Sequence, residues 1–334
     1  MITQKLSNDQ KGILTACEIL KNGGVVAIPT ETVYGLAASA YDENAIKAVF
    51  TAKVRPQDNP LIVHISDMEM LSEIALEIPK TAIKCAEKFW PGPLTMVLKK
   101  SDKVNGCVSA GLSTVAVRMP SEKTAHSVIA KSRLPLAAPS ANVSGKPSPT
   151  TAQHVINDLD GKIDAVLMGN ECTVGVESTV ITLVGEHPVL LRPGAVTLEQ
   201  LKEILPDITV DKAVLSELEA GQKAASPGMK YKHYAPETET FLVEGESFAE
   251  FVNQQENALA VCFLEESEEI RIPKIIYGSK ENPESFANKL FATLRDVDST
   301  GVKAVYVHAP EKQGVGLAVY NRLIRAAAFK VIKL

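Results

Sequence analysis

Apolar positions follow two rhythms along the first two-thirds of the chain. Residues 8–22 carry them at helical spacing, and Gly23-Gly24 supplies a stop, so a helix is predicted there. Val25-Val26-Ala27-Ile28 follows as a short apolar run, read as a buried strand. A second helix is predicted from Asp42 to Lys53, with Ile46, Val49 and Phe50 on one face. A strand at 61–65 and a helix at 79–90 come next, the helix stopped by Pro91-Gly92-Pro93. Further strands are predicted at 94–99, 114–119, 135–138, 163–168, 179–184 and 188–192. Many strands with fewer helices imply an α/β fold: a twisted mixed sheet flanked by helices.

The pattern changes after residue 205. Residues 206–237 are charged, small and turn-forming, and read as a linker between domains 1–205 and 238–334. The linker contains Ser226-Pro227-Gly228-Met229-Lys230-Tyr231-Lys232-His233-Tyr234-Ala235-Pro236, rich in Tyr, Lys and His for a spacer. Strands at 239–243, 258–264, 272–277 and 302–308 then alternate with helices near 246–256, 282–297 and 315–328. Asn282 reads as an N-cap and Pro283 as a first-turn proline. The alternation predicts a small, Rossmann-like α/β C-terminal domain.

A length of 334 residues exceeds the usual single core, which supports two domains. The net charge of −5 argues against a surface that coats a nucleic-acid backbone, so any anion site is a local pocket. Five cysteines, with no CxxC pair, argue against a zinc ribbon or a disulfide framework. No run reaches membrane-span length and the first residues lack a signal-peptide pattern, so a cytoplasmic protein is expected.

The common nucleotide motifs are missing. There is no GxxxxGK[ST], and Gly314-Val315-Gly316 lacks the third glycine of a dinucleotide fingerprint. The chemistry must come from other blocks. Pro29-Thr30-Glu31-Thr32-Val33-Tyr34-Gly35-Leu36 follows a buried strand, where α/β proteins place ligands. Lys53-Val54-Arg55-Pro56-Gln57-Asp58-Asn59-Pro60 puts two cations and an amide on a proline-stiffened loop, a device suited to polyphosphate. His64 reads equally as a core histidine or a ligand group. Ala137 to Ser148 runs from strand residues into a loop of small hydroxyls, Asn and Gly, able to wrap phosphate. Arg118, after Ser113-Thr114-Val115-Ala116-Val117, could clamp a carboxylate or form a surface ion pair. Gly175-Val176-Glu177-Ser178-Thr179-Val180 and Leu191-Arg192-Pro193-Gly194 complete the set. Each block places a cation or hydroxyl at a strand end before a turn, which points to one shared pocket for a phosphorylated ligand.

These blocks, in this order over about residues 25–195, resemble the YrdC-like family. The SPGMKYKHYAP linker resembles that of the long form of threonylcarbamoyl-AMP synthase, with Lys232 standing where that pattern has Arg. The resemblance implies a nucleotidyltransferase that uses L-threonine, bicarbonate and ATP, with Mg2+ on the triphosphate, to supply a tRNA modification. It implies threonine binding by Thr32, His64, Arg118, Ser178 and the backbone near Ala138. It implies ATP binding by Arg55, Asn59, Thr114, Ser140, Ser148 and Arg192, with His233 and Tyr234 closing over the nucleotide. Lys53 and Asn142 are implied beside the reacting groups, the 226–236 segment as a lid, and tRNA-modifying enzymes as partners. Two rivals stand beside it. A non-catalytic RNA-binding module is disfavoured by the acidic charge. A carbamoyl-transfer enzyme of hydrogenase maturation carries zinc-finger cysteine pairs, which are missing.

Overall fold

The computed structural model describes residues 2–216 and 234–334. The first unit holds strands β1 (Gln4–Ser7), β2 (Val26–Ile28), β3 (Gly35–Ser39), β4 (Ile62–His64), β5 (Ala75–Leu76) and β6 (Leu94–Lys100). These are followed by β7 (Thr114–Arg118), β8 (Leu136–Ala137), β9 (Ala165–Met168), β10 (Thr179–Thr182), β11 (Val189–Arg192) and β12 (Thr209–Val210). They form one 12-stranded mixed sheet in the order β1-β9-β2-β3-β8-β4-β7-β6-β10-β11-β12, with β5 on β6. Helices α1 (Gln10–Lys21), α2 (Glu43–Lys53), α3 (Met68–Ile74), α4 (Lys80–Phe89), α5 (Lys123–Ser132), α6 (Ala152–Leu159) and α7 (Leu198–Lys202) accompany it.

Local chemistry sets the helix ends. Asp9 caps α1 by accepting from the Gly12 amide at 2.8 Å, and Thr197 and Gln200 form a capping box on α7. The predicted 8–22, 42–53 and 79–90 helices correspond to α1, α2 and α4. Helix α2 ends on Val54 at φ 52°, unusual for a β-branched residue. The Arg55 amide donates back to the Phe50 carbonyl at 2.9 Å and holds that turn. The turn brings Lys53 and Arg55 to the same cavity wall.

The second unit holds β13 (Glu239–Glu244), β14 (Ala258–Phe263), β15 (Lys274–Gly278), β16 (Ala304–His308) and β17 (Val331–Lys333). All pair in parallel in the order β15-β14-β16-β13-β17. Helices α8 (Phe248–Val252), α9 (Pro283–Val297) and α10 (Gly314–Ala326) connect them, giving the Rossmann-like outline. Pro283 opens α9 as expected, but the Asn282 side chain makes no cap hydrogen bond.

The predicted linker begins later than residue 206. Strand β12 pairs with β11, and Ala213 and Val214 are buried in a following 3-10 turn, so the first unit extends through 214. The rest of the predicted lid, with Lys232 and His233, lies outside the described residues apart from 234–236. Helices α9 and α10 face the first unit. Val33, Val176 and Tyr234 join the apolar core of the second unit with Leu290, Phe291 and Val319. Polar ties add to it: Arg295 to Asp158 at 2.8 Å, and Asn288 to the Cys172 carbonyl at 2.8 Å.

Candidate active site

A cavity of about 740 Å³, open mouth included, forms where the ends of β2, β4, β7, β8, β10 and β11 meet the turn after α2. Thr32, His64, Arg118, Ala138 and Ser178 line it, as do Lys53, Arg55, Ser140, Asn142, Ser148, Arg192 and Tyr234. The structure thus gathers most of the side chains singled out in the sequence. It does not bring Asn59 or Thr114 to the lining. Asn59 is buried behind Arg55, whose Nη2 donates to the Asn59 and Pro60 carbonyls at 3.4 and 3.2 Å. Thr114 opens β7, at the end opposite Arg118, and pairs across the sheet with Lys99.

One end of the cavity centres on Arg118. This guanidinium is buried, and is no surface ion pair. Nη1 donates to Thr32 Oγ1 at 2.8 Å, Nε donates to the Gly92 carbonyl at 3.3 Å, and Nη2 lies 2.8 Å from Glu31 Oε1. Burial alone would raise the Glu31 carboxyl, but Arg118 overcomes it and holds it below the ordinary value. His64 is the cross-strand neighbour of Arg118. Burial, then Arg118, push its pKa down to about 3, so the ring is neutral. Among the described residues, its buried Nδ1 has no hydrogen-bond partner.

The other end is cationic. Lys53 is only 1% exposed. Its ammonium donates to the Ser140 carbonyl, and to the Asn142 carbonyl at 2.6 Å. Burial, then Arg55, push its pKa well below the usual lysine value. Arg192 donates from Nε to the Ser178 carbonyl at 3.1 Å and from Nη2 to Ser178 Oγ at 3.2 Å. Burial and the nearby Arg322 lower its pKa to about 10. Tyr234 reaches the cavity at φ 62°, its ring tilted against Phe291 with centroids 5.2 Å apart.

Three site residues escape the sequence reading: Glu31, Glu177 and Arg322. Both acids sit inside the blocks that were singled out, where only hydroxyls and cations drew notice. Ser148 Oγ donates to Glu177 Oε1 at 2.6 Å, and Arg322 Nε donates to Oε2 at 3.0 Å. Burial raises the Glu177 carboxyl, yet Arg322 and Arg192 hold it below the ordinary value. The one sequence signal for Arg322 is a charge inside the apolar run Leu317 to Ile324. Among the described residues, no cluster of His, Cys, Asp and Glu could hold a metal ion. No described helix is long and apolar enough to cross a membrane.

Fold and cavity define the class: a two-domain α/β protein whose first unit carries a buried cationic cavity at its strand ends. A family profile described as telomere recombination matches residues 18–194. One described as the C-terminal domain of threonylcarbamoyl-AMP synthase matches 196–328. The chain is 46% identical over 330 residues to threonylcarbamoyl-AMP synthase of Pyrococcus abyssi, covering 96% of this chain and 95% of the relative. It is 42% identical over 340 residues to that of Bacillus subtilis, covering 99% and 97%. The crystal structure of P. abyssi Sua5 complexed with L-threonine superposes with a TM-score of 0.91 at 42% identity, covering 100% of each chain. The chain belongs to the threonylcarbamoyl-AMP synthase family, in its two-domain form, and is an enzyme of the nucleotidyltransferase type.

Proposed function

We propose that the enzyme converts L-threonine, bicarbonate and ATP to threonylcarbamoyl-AMP and pyrophosphate. The product would supply the threonylcarbamoyl group for the adenosine beside the anticodon of certain tRNAs, through partner modifying enzymes. The carrying observation is one cavity that gathers Lys53 and Arg55 from the end of α2 and its turn, and Arg118 and Arg192 from the ends of β7 and β11. The threonine-bound P. abyssi relative supports threonine as substrate.

In this reading Thr32, His64, Arg118, Ser178 and the backbone at Ala138 hold threonine. Arg118 meets its carboxylate, and the orphan His64 nitrogen suits a hydrogen bond to a polar group of the substrate. The neutral threonine amine captures bicarbonate with loss of water. The carbamate oxygen then bonds to the α-phosphorus, and the bond to pyrophosphate breaks. Arg55, Ser140, Ser148, Arg192 and Tyr234 hold the nucleotide, with His233 assigned by motif position. Mg2+ enters with ATP as part of the substrate, bound by phosphate oxygens and water. Lys53 is held by backbone carbonyls on the Ser140–Asn142 loop. It fixes that loop beside the reacting groups and supplies charge where the leaving group forms. Nothing in these steps needs a covalent enzyme intermediate. The carbamate hydrolyses easily, so excluding water from the cavity protects it.

The test is pyrophosphate release from ATP and bicarbonate, with and without threonine and with other amino acids. Release that depends on threonine is expected, falling about 10²-fold or more in Lys53→Ala. Release indifferent to threonine, or an unimpaired Lys53→Ala, would overturn the proposal. RNA binding with steep salt dependence and no ATP consumption would favour the binding-module rival instead.

A further inference from the structure

We infer that Arg322, on the last helix of the second unit, is a positioning residue for the triphosphate end of the cavity in the first. This rests on the function proposed above and extends it to a residue outside the catalytic unit. Both oxygens of Glu177 are occupied, Oε1 by Ser148 and Oε2 by Arg322. Arg322 is 0% exposed and grips the backbone on both sides of the site. Nη1 donates to the Pro193 carbonyl at 2.6 Å, beside Arg192. Nη2 donates to the Glu177 carbonyl at 3.3 Å, beside Ser178. Arg192 and Ser178 are themselves hydrogen-bonded. One guanidinium therefore sets the carboxylate that orients Ser148 and the two backbone segments that carry Arg192 and Ser178.

Removing that guanidinium leaves Glu177 as a buried carboxylate short of a partner, which is costly. Arg192 is a second cation acting on Glu177, with Lys53 also in its field. The carboxylate would draw Arg192 and Ser148 toward itself and away from phosphate. It would also set an uncompensated negative charge beside a polyanion, in a site of low dielectric. Simple adhesion between the units does not require Arg322. Asn288, Arg295 and the apolar contact around Val176 and Phe291 tie them elsewhere.

The experiment measures steady-state pyrophosphate release with ATP and threonine varied in turn, alongside thermal melting. It compares wild type, Arg322→Gln, the double variant Glu177→Gln/Arg322→Gln, and Asn288→Ala. In Arg322→Gln the KM for ATP should rise about tenfold or more, and the KM for threonine, reached only through Ser178, should rise clearly less. The double variant should regain much of that loss, because no unpaired carboxylate remains. Asn288→Ala should lower melting and leave both KM values in place. If Arg322→Gln does not fold, Arg322→Lys carries the same comparison. The inference is overturned if an Arg322 variant shifts only melting, if both KM values rise equally, or if the double variant is no better than the single one. A wild-type protein without threonine-dependent release would instead sink the proposed function, so the two failures are distinguishable.

Discussion

His64 shows how one burial decides a protonation state. Folded, the ring takes a proton only near pH 3; in the unfolded chain it does so near its ordinary value of 6.5. Between those values the unfolded chain binds the extra proton, so acid favours unfolding. Stability should fall as pH drops below about 6.5, and a His64→Asn variant should lose less of it. Denaturant unfolding at about pH 7 and pH 5 reads this directly, and equal losses in the two proteins would contradict it. His154 is shifted the same way, to about 4, and remains in both proteins, so the difference reports His64 alone. The sequence made His64 a candidate but could not choose between core and ligand roles. The structure shows it buried and also lining the cavity, because its strand lies beside Arg118 at the pocket edge.

Among the elements, Gly175 occupies a place where the two units nearly touch through backbone. It sits at φ +81°, and an added Cβ would lie 2.4 Å from Asn288 Cα on α9. The left-handed conformation costs a non-glycine residue roughly 1–2 kcal/mol, and the clash would also push α9 away. Gly175→Ala should therefore lower the melting temperature by at least a few degrees and weaken turnover. Calorimetry with the pyrophosphate assay checks both, and unchanged melting would exclude close packing there. Elements with strong apolar runs, such as β2, β6 and β14, were legible from periodicity. Strand β3 was not, because Gly35-Leu36-Ala37-Ala38-Ser39 has weak strand propensity and is held by β2 and β8 on either side. Helices α5 and α6 went unread too; both lie outside the motif blocks, in stretches to which no element was assigned.

Across the whole molecule, the units share apolar side chains and buried ion pairs. Arg322 to Glu177 and Arg295 to Asp158 both cross the interface, and Arg325 donates to the Ala213 carbonyl at 2.7 Å. Relative domain motion is the usual default, but this interface opposes it. Scanning calorimetry of the full chain should show one cooperative transition, and two separable peaks would contradict that coupling. By itself the amino-acid sequence determined the α/β class, the family, and most of the cavity's hydroxyls and cations. Those depend on local patterns: an apolar strand, then a turn with a characteristic polar residue. Only the tertiary structure decided that Glu177 meets Arg322, 145 positions away, and that the second unit reaches the catalytic wall. Spacing along the chain does not say which buried charge will face which, because docking of α10 fixes that pairing.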